Sequence, residues 1–104
     1  MVVYSHIARQ DLIDILFGLL TWEKHELTIE HCEKYVDDIV DVIDKIDRCT
    51  THRNCVFKLH KQYGEKYFSY KRNVHTKWYF IYDWDKVNEI AYINKIISNH
   101  LTSE

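Results

Sequence analysis

Along the first half of the chain, apolar side chains recur every three or four residues; along the second half, they alternate. Ala8, Leu12, Ile15, Leu16 and Leu19 share one face of a helix predicted over residues 6–22, and Ile13, Phe17 and Leu20 widen that face. Only a narrow stripe around Gln10 and Asp14 is polar, so this helix is expected to be buried on most sides. Gly18 costs a helix about 1 kcal/mol against Ala, and is read as a point of close approach for the next helix. The second helix is predicted over residues 28–48, with Thr28 as its N-cap. Ile29, Cys32, Val36, Ile39, Ile43 and Ile46 step along its inner face, and Glu30, Glu33, Asp37, Asp41 and Asp44 lie largely opposite. Glu30–Lys34, Asp41–Lys45 and Asp44–Arg48 are i,i+4 pairs in the favourable order.

Beyond residue 50 the period is that of strands. Residues 55–60, 66–72, 77–84 and 88–97 read as four strands, with turns at Tyr63-Gly64 and Asp85-Lys86, and Val2 to Tyr4 as a short first strand. The run Trp78-Tyr79-Phe80-Ile81-Tyr82 is apolar on both faces and belongs at the centre of a sheet. The short connections predict an antiparallel meander, and the helical hairpin has one place to bury its apolar stripe, a face of that sheet. The expected fold is α+β: a short N-terminal strand and an α-helical hairpin on a four- to five-stranded, mainly antiparallel sheet. Proline is absent, glycine occurs only at Gly18 and Gly64, and no repeat or linker interrupts the chain. Residues 1–104 are therefore read as a single domain.

Composition adds location and charge. No apolar run approaches the roughly 18 residues of a membrane span, and the first residues carry no basic region or cleavage site of a signal peptide. Three cysteines, Cys32, Cys49 and Cys55, make no disulfide framework and fit a reducing cytoplasm. The net charge of −2 is unevenly spread. Residues 1–50 hold five Lys/Arg and eleven Asp/Glu, whereas residues 51–104 hold nine and five. Between Arg53 and Lys77 there are seven cations and one acid, Glu65, which places any anionic partner there.

Three constellations carry candidate chemistry. Cys49, His52, Cys55 and His60 are all zinc-binding residue types, but their spacing matches no strong pattern and a strand beginning at Cys55 would pull His60 away, so they are read as a helix end and loop that happen to be rich in Cys and His. Lys58, His60, Lys61, Lys66, Lys71, Arg72 and Lys77 interleave with Phe57, Tyr63, Tyr67, Phe68, Tyr70 and Trp78. Cations neutralise phosphates and aromatics offer surfaces to unpaired bases, so Lys58, Lys61, Lys66, Lys71, Arg72 and Lys77 are the nucleic-acid-binding candidates. The bland alternative is a solvated sheet face whose aromatics belong to the core. His60, His75 and His100 are candidates for proton transfer near neutral pH, His100 because it follows the last strand, where a chain end reaches over a sheet. The acidic run of the second helix reads as a solvated face rather than a metal site. No phosphate loop, dinucleotide fingerprint, HExxH motif or Ser-His-Asp order is present, and no cofactor or metal is expected.

Several local strings, in order, resemble the RelE/ParE superfamily of bacterial toxins. Val3-Tyr4-Ser5, then Ala8 through Ile15, resembles the family opening of a strand, a Ser and an A-x-x-D-L-x-x-I helix. Tyr35-Val36-Asp37-Asp38-Ile39 resembles the second-helix segment. Tyr70-Lys71-Arg72, followed by Trp78-Tyr79-Phe80-Ile81-Tyr82, resembles an Arg-bearing strand leading into one that ends v-v-Y. Residues 94–100 resemble the closing strand and its terminal His. The resemblance covers nearly the whole chain. It implies the toxin of a type II toxin–antitoxin (plasmid stabilisation) module, neutralised by a cognate antitoxin, as a homodimer or a toxin–antitoxin hetero-oligomer. RelE-like members cut messenger RNA on the ribosome without metal; ParE-like members inhibit DNA gyrase.

One departure bears on the choice. The RelE-type pattern has an Arg three residues before the Tyr of v-v-Y, and Tyr79 stands there. What the resemblance then implies for cleavage is Arg72, with Lys58 or Lys61, stabilising charge at the phosphate, and His100 or His60 moving the proton. A gyrase inhibitor would instead bind through buried anchors, with Trp22, Trp78 and Trp84 as candidates. A nucleic-acid-binding or structural module without toxicity is the alternative outside the family.

Overall fold

A computed structural model of the chain describes residues 1–21 and 28–101. In chain order its elements are β1 (Val2–Tyr4), α1 (His6–Thr21), α2 (Ile29–Ile43), a 3₁₀ turn (Ile46–Arg48), β2 (Arg53–Asn54), α3 (Lys58–Lys61), β3 (Lys66–Lys71), β4 (Lys77–Asp85), β5 (Ile90–Ser98) and a closing 3₁₀ turn (Asn99–Leu101). The fold is α+β, a five-stranded sheet in the order β1-β5-β4-β3-β2. β3, β4 and β5 form the predicted antiparallel meander, with β4 in the middle and its Phe80, Ile81 and Tyr82 fully buried. β1 pairs in parallel with β5, Val2 opposite Ala91 and Tyr4 opposite Ile93, so the sheet is mixed. Among the described residues no helix is long and apolar enough to cross a membrane.

One face of the sheet carries α1 and α2. Ala8, Ile39, Ile43 and Ile46 pack there on Phe80, Tyr82, Ala91, Ile93 and Ile96. The other face is partly covered by α3, where Cys55, Leu59 and Tyr63 meet Tyr67, Tyr79, Ile81 and Ile97. Three expectations are corrected here. α1 is buried along one face only: Ile13, Phe17 and Leu20 are 46%, 60% and 40% exposed, because among the described residues no layer lies outside α1. Gly18 faces open space rather than a helix, with no described atom within 4 Å of where its Cβ would stand. Residues 55–60 are not a strand. The inward side chains Cys55, Leu59, His60 and Tyr63 recur at helical spacing, and this outweighs the alternation of apolar residues in that stretch.

α2 begins as predicted, its N-cap Thr28 accepting the His31 amide, but ends at Ile43 rather than near residue 48. The Asp44 amide still donates to Val40, after which the chain tightens into the 3₁₀ turn and keeps Ile46 fully buried. Lys34 pairs with Asp38 at 3.1 Å rather than with Glu30, and Asp44 accepts the Tyr4 hydroxyl at 2.7 Å.

A β-bulge joins these layers. Ile81 pairs with Lys95 but Tyr82 pairs with Ile93, which leaves Asn94 as the extra residue. Ile93 and Ile96, three apart, therefore both face the helices. At this point Asp11 of α1, itself buried, accepts the Ile96 amide at 2.9 Å and the Lys95 ammonium at 2.8 Å. On the other side Asn94 donates to the Tyr63 carbonyl at 2.8 Å and to Asp83 at 2.9 Å.

Removing this carboxylate leaves a buried amide and a half-buried ammonium unpaired. Asp11→Ala is expected to lower unfolding free energy by about 2–4 kcal/mol in urea titration, and Asp11→Asn by less. The two glycines should respond oppositely to alanine. Gly64→Ala sets a Cβ 3.1 Å from the Tyr82 carbonyl oxygen and 3.2 Å from Ile81 Cγ2, and destabilises. Gly18→Ala, in an open helical position, stabilises by about 0.5–1 kcal/mol in the same assay.

Candidate nucleic-acid interface

The turn between β3 and β4 sets the register of the site. Asn73 accepts the backbone amides of His75 and Thr76, each at 2.9 Å, and the Arg72 amide donates to Thr76 at 2.9 Å. This closure places Lys71 directly opposite Lys77. By strand alternation Tyr67, Ser69 and Lys71 share a face with Lys77, Tyr79 and Ile81, and β2 adds Arg53, opposite Tyr67. This is the face turned away from α1 and α2. Arg53, Lys71 and Lys77 are exposed, and among the described residues no carboxylate pairs with them. The β4 acids on this face, Asp83 and Asp85, lie at its far end and are engaged by amides and by Asn94 and Asn88, and Glu65 is exposed just before β3, its amide donating to Asp83.

α3 closes one side of the face. Lys58 and Lys61 are exposed on its outer surface, while His60, between them, is turned inward and only 1% exposed. The His60 ring lies 4.7 Å from that of Tyr79 and 5.1 Å from that of Phe57. Tyr67 stands 6.1 Å from Tyr79, and the Lys77 ammonium lies 5.4 Å above the Tyr79 ring. Val56, Phe57, His60, Tyr67, Lys77 and Tyr79 line a cleft of about 250 Å³.

The remaining candidates lie elsewhere. Arg72 points to the helix side, where it is ion-paired with Asp38, bonded to the Tyr70 hydroxyl at 3.2 Å and set 4.4 Å above the Tyr35 ring. These partners hold the Asp38 carboxyl below the usual carboxylate range, through the Arg72 and then the Lys34 hydrogen bonds. Lys66 follows the same alternation to the helix side and donates to Asn54 at 2.6 Å. His100 is exposed in the closing 3₁₀ turn, which Asn99 fastens beside the β3–β4 turn through the Lys77 amide and the His75 carbonyl. The structure thus gathers Lys58, Lys61, Lys71, Lys77 and His60 around one face, brings His100 and His75 to its end, and sets Arg72 and Lys66 on the other. Arg53 and Tyr79, absent from the sequence candidates, join the site. Their signal was the register, since a turn over residues 73–76 that pairs Lys71 with Lys77 also puts Tyr79 beside them.

The Cys/His cluster does not assemble. His52 sits on the helix side, stacked on Trp84 at 3.9 Å and bonded through Nδ1 to the Tyr82 hydroxyl at 2.6 Å, whereas Cys55 and His60 belong to the opposite face. Among the described residues no three His, Cys, Asp or Glu side chains are placed to hold a metal ion.

Compared with protein-family models, curated proteins and solved structures, the chain matches none. What it does is therefore argued from this geometry.

Desolvation by burial holds the His52 imidazole below its ordinary value of 6.5. The unfolded chain then binds the proton more readily than the folded one, so this contribution is complete above about pH 6.5 and drains away as pH falls toward the folded value. Urea midpoints are expected to fall between pH 7.5 and 5.5. His52→Gln should flatten that dependence; an unchanged slope would exclude His52 as its source.

Proposed function

We propose that this chain is the growth-inhibiting toxin of a type II toxin–antitoxin module with the RelE/ParE layout, working in the cytoplasm on messenger RNA through the open face of its sheet. The observation that carries the reading is the opposition of Lys71 and Lys77. Like charges directly across a strand pair destabilise it, and here they are accompanied by Arg53, with no carboxylate ion-paired to any of the three among the described residues. An arrangement that works against stability is one that a polyanion would relieve. The element order, a short strand, a helical pair and a three-stranded meander, is the one the sequence resemblance implies, and supports the layout. The stripe of Ile13, Phe17 and Leu20 left exposed on α1 is surface of the kind a protein partner covers, which supports a cognate antitoxin.

If the toxin cuts RNA, attack of a 2′-OH on its phosphate needs a proton acceptor, a proton donor and nearby cations. In this geometry the cations are Lys71 and Lys77, with Lys58 and Lys61 on the rim; Arg72 serves α2 instead, through Asp38. His60 beside the cleft and His100 at the end of the face are the groups for proton transfer. The engagement of Arg72 favours a second reading, a ParE-like inhibitor of DNA gyrase that breaks no bond. Of its candidate anchors, Trp78 donates to the Tyr35 hydroxyl at 3.0 Å and Trp84 lies under His52, so both are used within the fold. Trp22 lies outside the described residues.

Inducing the chain alone in a bacterial host and mapping messenger 5′ ends within minutes separates these readings. The expected result is growth arrest with new ends in translated frames, relieved by Lys71→Glu with Lys77→Glu and by co-expressed antitoxin. Arg72→Ala should weaken folding without sparing the messages at matched protein levels. Arrest with intact messages and gyrase-trapped DNA breaks would establish the inhibitor instead. Unimpaired growth would leave a nucleic-acid-binding module without toxicity.

A further inference from the structure

We infer that the cleft beneath α3 seats one unpaired nucleobase, with the flanking phosphates held by Lys71 and Lys77, so that the open face takes a single strand rather than a duplex. This rests on the reading of the open face as a nucleic-acid surface, and adds which form of nucleic acid it takes and where.

The side chains around the cleft are arranged as walls. Phe57 stands edge-on to both His60 and Tyr79, at interplanar angles of 78° and 80°, while His60 and Tyr67 are each tilted nearly 50° to Tyr79. A group of aromatics that served only as core would close over itself. Here Val56 is 70% exposed and Phe57 37% exposed at the mouth, above a floor formed by the buried Tyr79 and His60. The space between them is about 250 Å³, and of its six lining residues five are apolar or aromatic and the sixth is the cation Lys77. A flat heterocycle suits such a site, because the rings of Phe57, His60, Tyr67 and Tyr79 offer it faces and edges.

Charge identifies what the heterocycle is attached to. Lys71 faces Lys77 across the strands, Arg53 stands opposite Tyr67, and among the described residues no carboxylate is ion-paired with any of the three. An aromatic side chain of a protein partner would fill the cleft but would leave these cations unanswered. A base on a phosphodiester backbone answers both. In a duplex both faces of each base are stacked, so a duplex can reach the cations but not the cleft.

The test is fluorescence anisotropy of the full chain with labelled 2′-O-methyl hexanucleotides, which cannot be cleaved by their own 2′ oxygen. The same sequence is compared as DNA, as a blunt duplex, and with an abasic residue walked through each position. Single strands should bind more tightly than the duplex. One abasic position should weaken binding about tenfold while the others do little. Val56→Trp, an exposed substitution that fills the mouth, should abolish that positional effect, and Lys71→Glu with Lys77→Glu should weaken every oligonucleotide and flatten the salt dependence. Equal affinity for the DNA and 2′-O-methyl strands would support base and phosphate as the features read. A flat abasic scan, or a duplex bound as tightly as a single strand, would overturn the seat; if binding still depended on Lys71 and Lys77, the basic face would stand. No binding to any oligonucleotide would overturn both.

Discussion

The Asp11 carboxylate is the constraint on which the arrangement depends. β1 covers β5 only as far as Ile93, so the remainder of β5 runs along an open edge of the sheet. An open edge presents unpaired amides to water and to other chains. Asp11 takes up the Ile96 amide there, and the Lys95 ammonium neutralises it. A helix that would otherwise touch the sheet only through apolar contacts, which are tolerant of sliding, is thereby fixed at one residue. The bulge at Asn94 is what offers Asp11 that amide while keeping Ile93 and Ile96 on the same face. Asn94, turned to the other side, holds the Tyr63 carbonyl, and Gly64 passes close against Tyr82 and Ile81. Thus one irregularity in β5 sets both layers, α1 on one face and the chain leaving α3 on the other.

The sheet also separates charge. The acidic face of α2 is directed away from the cations of β2, β3 and β4, with the sheet between them. Lys66 and Arg72 are the exceptions on the helix side: Lys66 donates to Asn54, and Arg72 ties the end of β3 to α2 through Asp38 and the Tyr35 ring. With that tie made, the cations left on the open face have no internal partner to turn to. Their availability follows from register, since moving the β3–β4 pairing by one residue would exchange Lys71 for Arg72 on the open face.

Register also explains what the sequence made legible. α1, α2 and the three long strands were readable because each repeats its own period over more than one turn or several alternations. β1 was visible as a short apolar string, but its parallel pairing with β5 is a contact between chain ends, and no local pattern encodes it. α3 was misread because four helical residues provide too few repeats to outweigh the β-branched and aromatic content around Cys55, Val56 and Phe57. The end of α2 was missed for a similar reason: Ile46 keeps the apolar spacing whether the turn is α or 3₁₀. At the site, the residue types were legible but their sides were not. Lys66, Lys71, Arg72 and Lys77 look equivalent in a list of cations, and only the closure by Asn73 sends two to one face and two to the other.

On the proposed reading, that division bears on how a phosphate would be held. An arginine brings five donors in a fixed fork, and in Arg72 one arm of it, Nη1, is taken by Asp38 and Tyr70 on the helix side. Lysines carry charge without that geometry. On that reading, a face that presents lysines around an aromatic cleft would hold a phosphate by charge and rely on the base to fix orientation. Positioning would then come from Phe57, Tyr67 and Tyr79, with Arg53, opposite Tyr67, as the guanidinium on that face. Tyr79 stands where the resembled pattern has an arginine, and its ring forms part of the floor of the cleft.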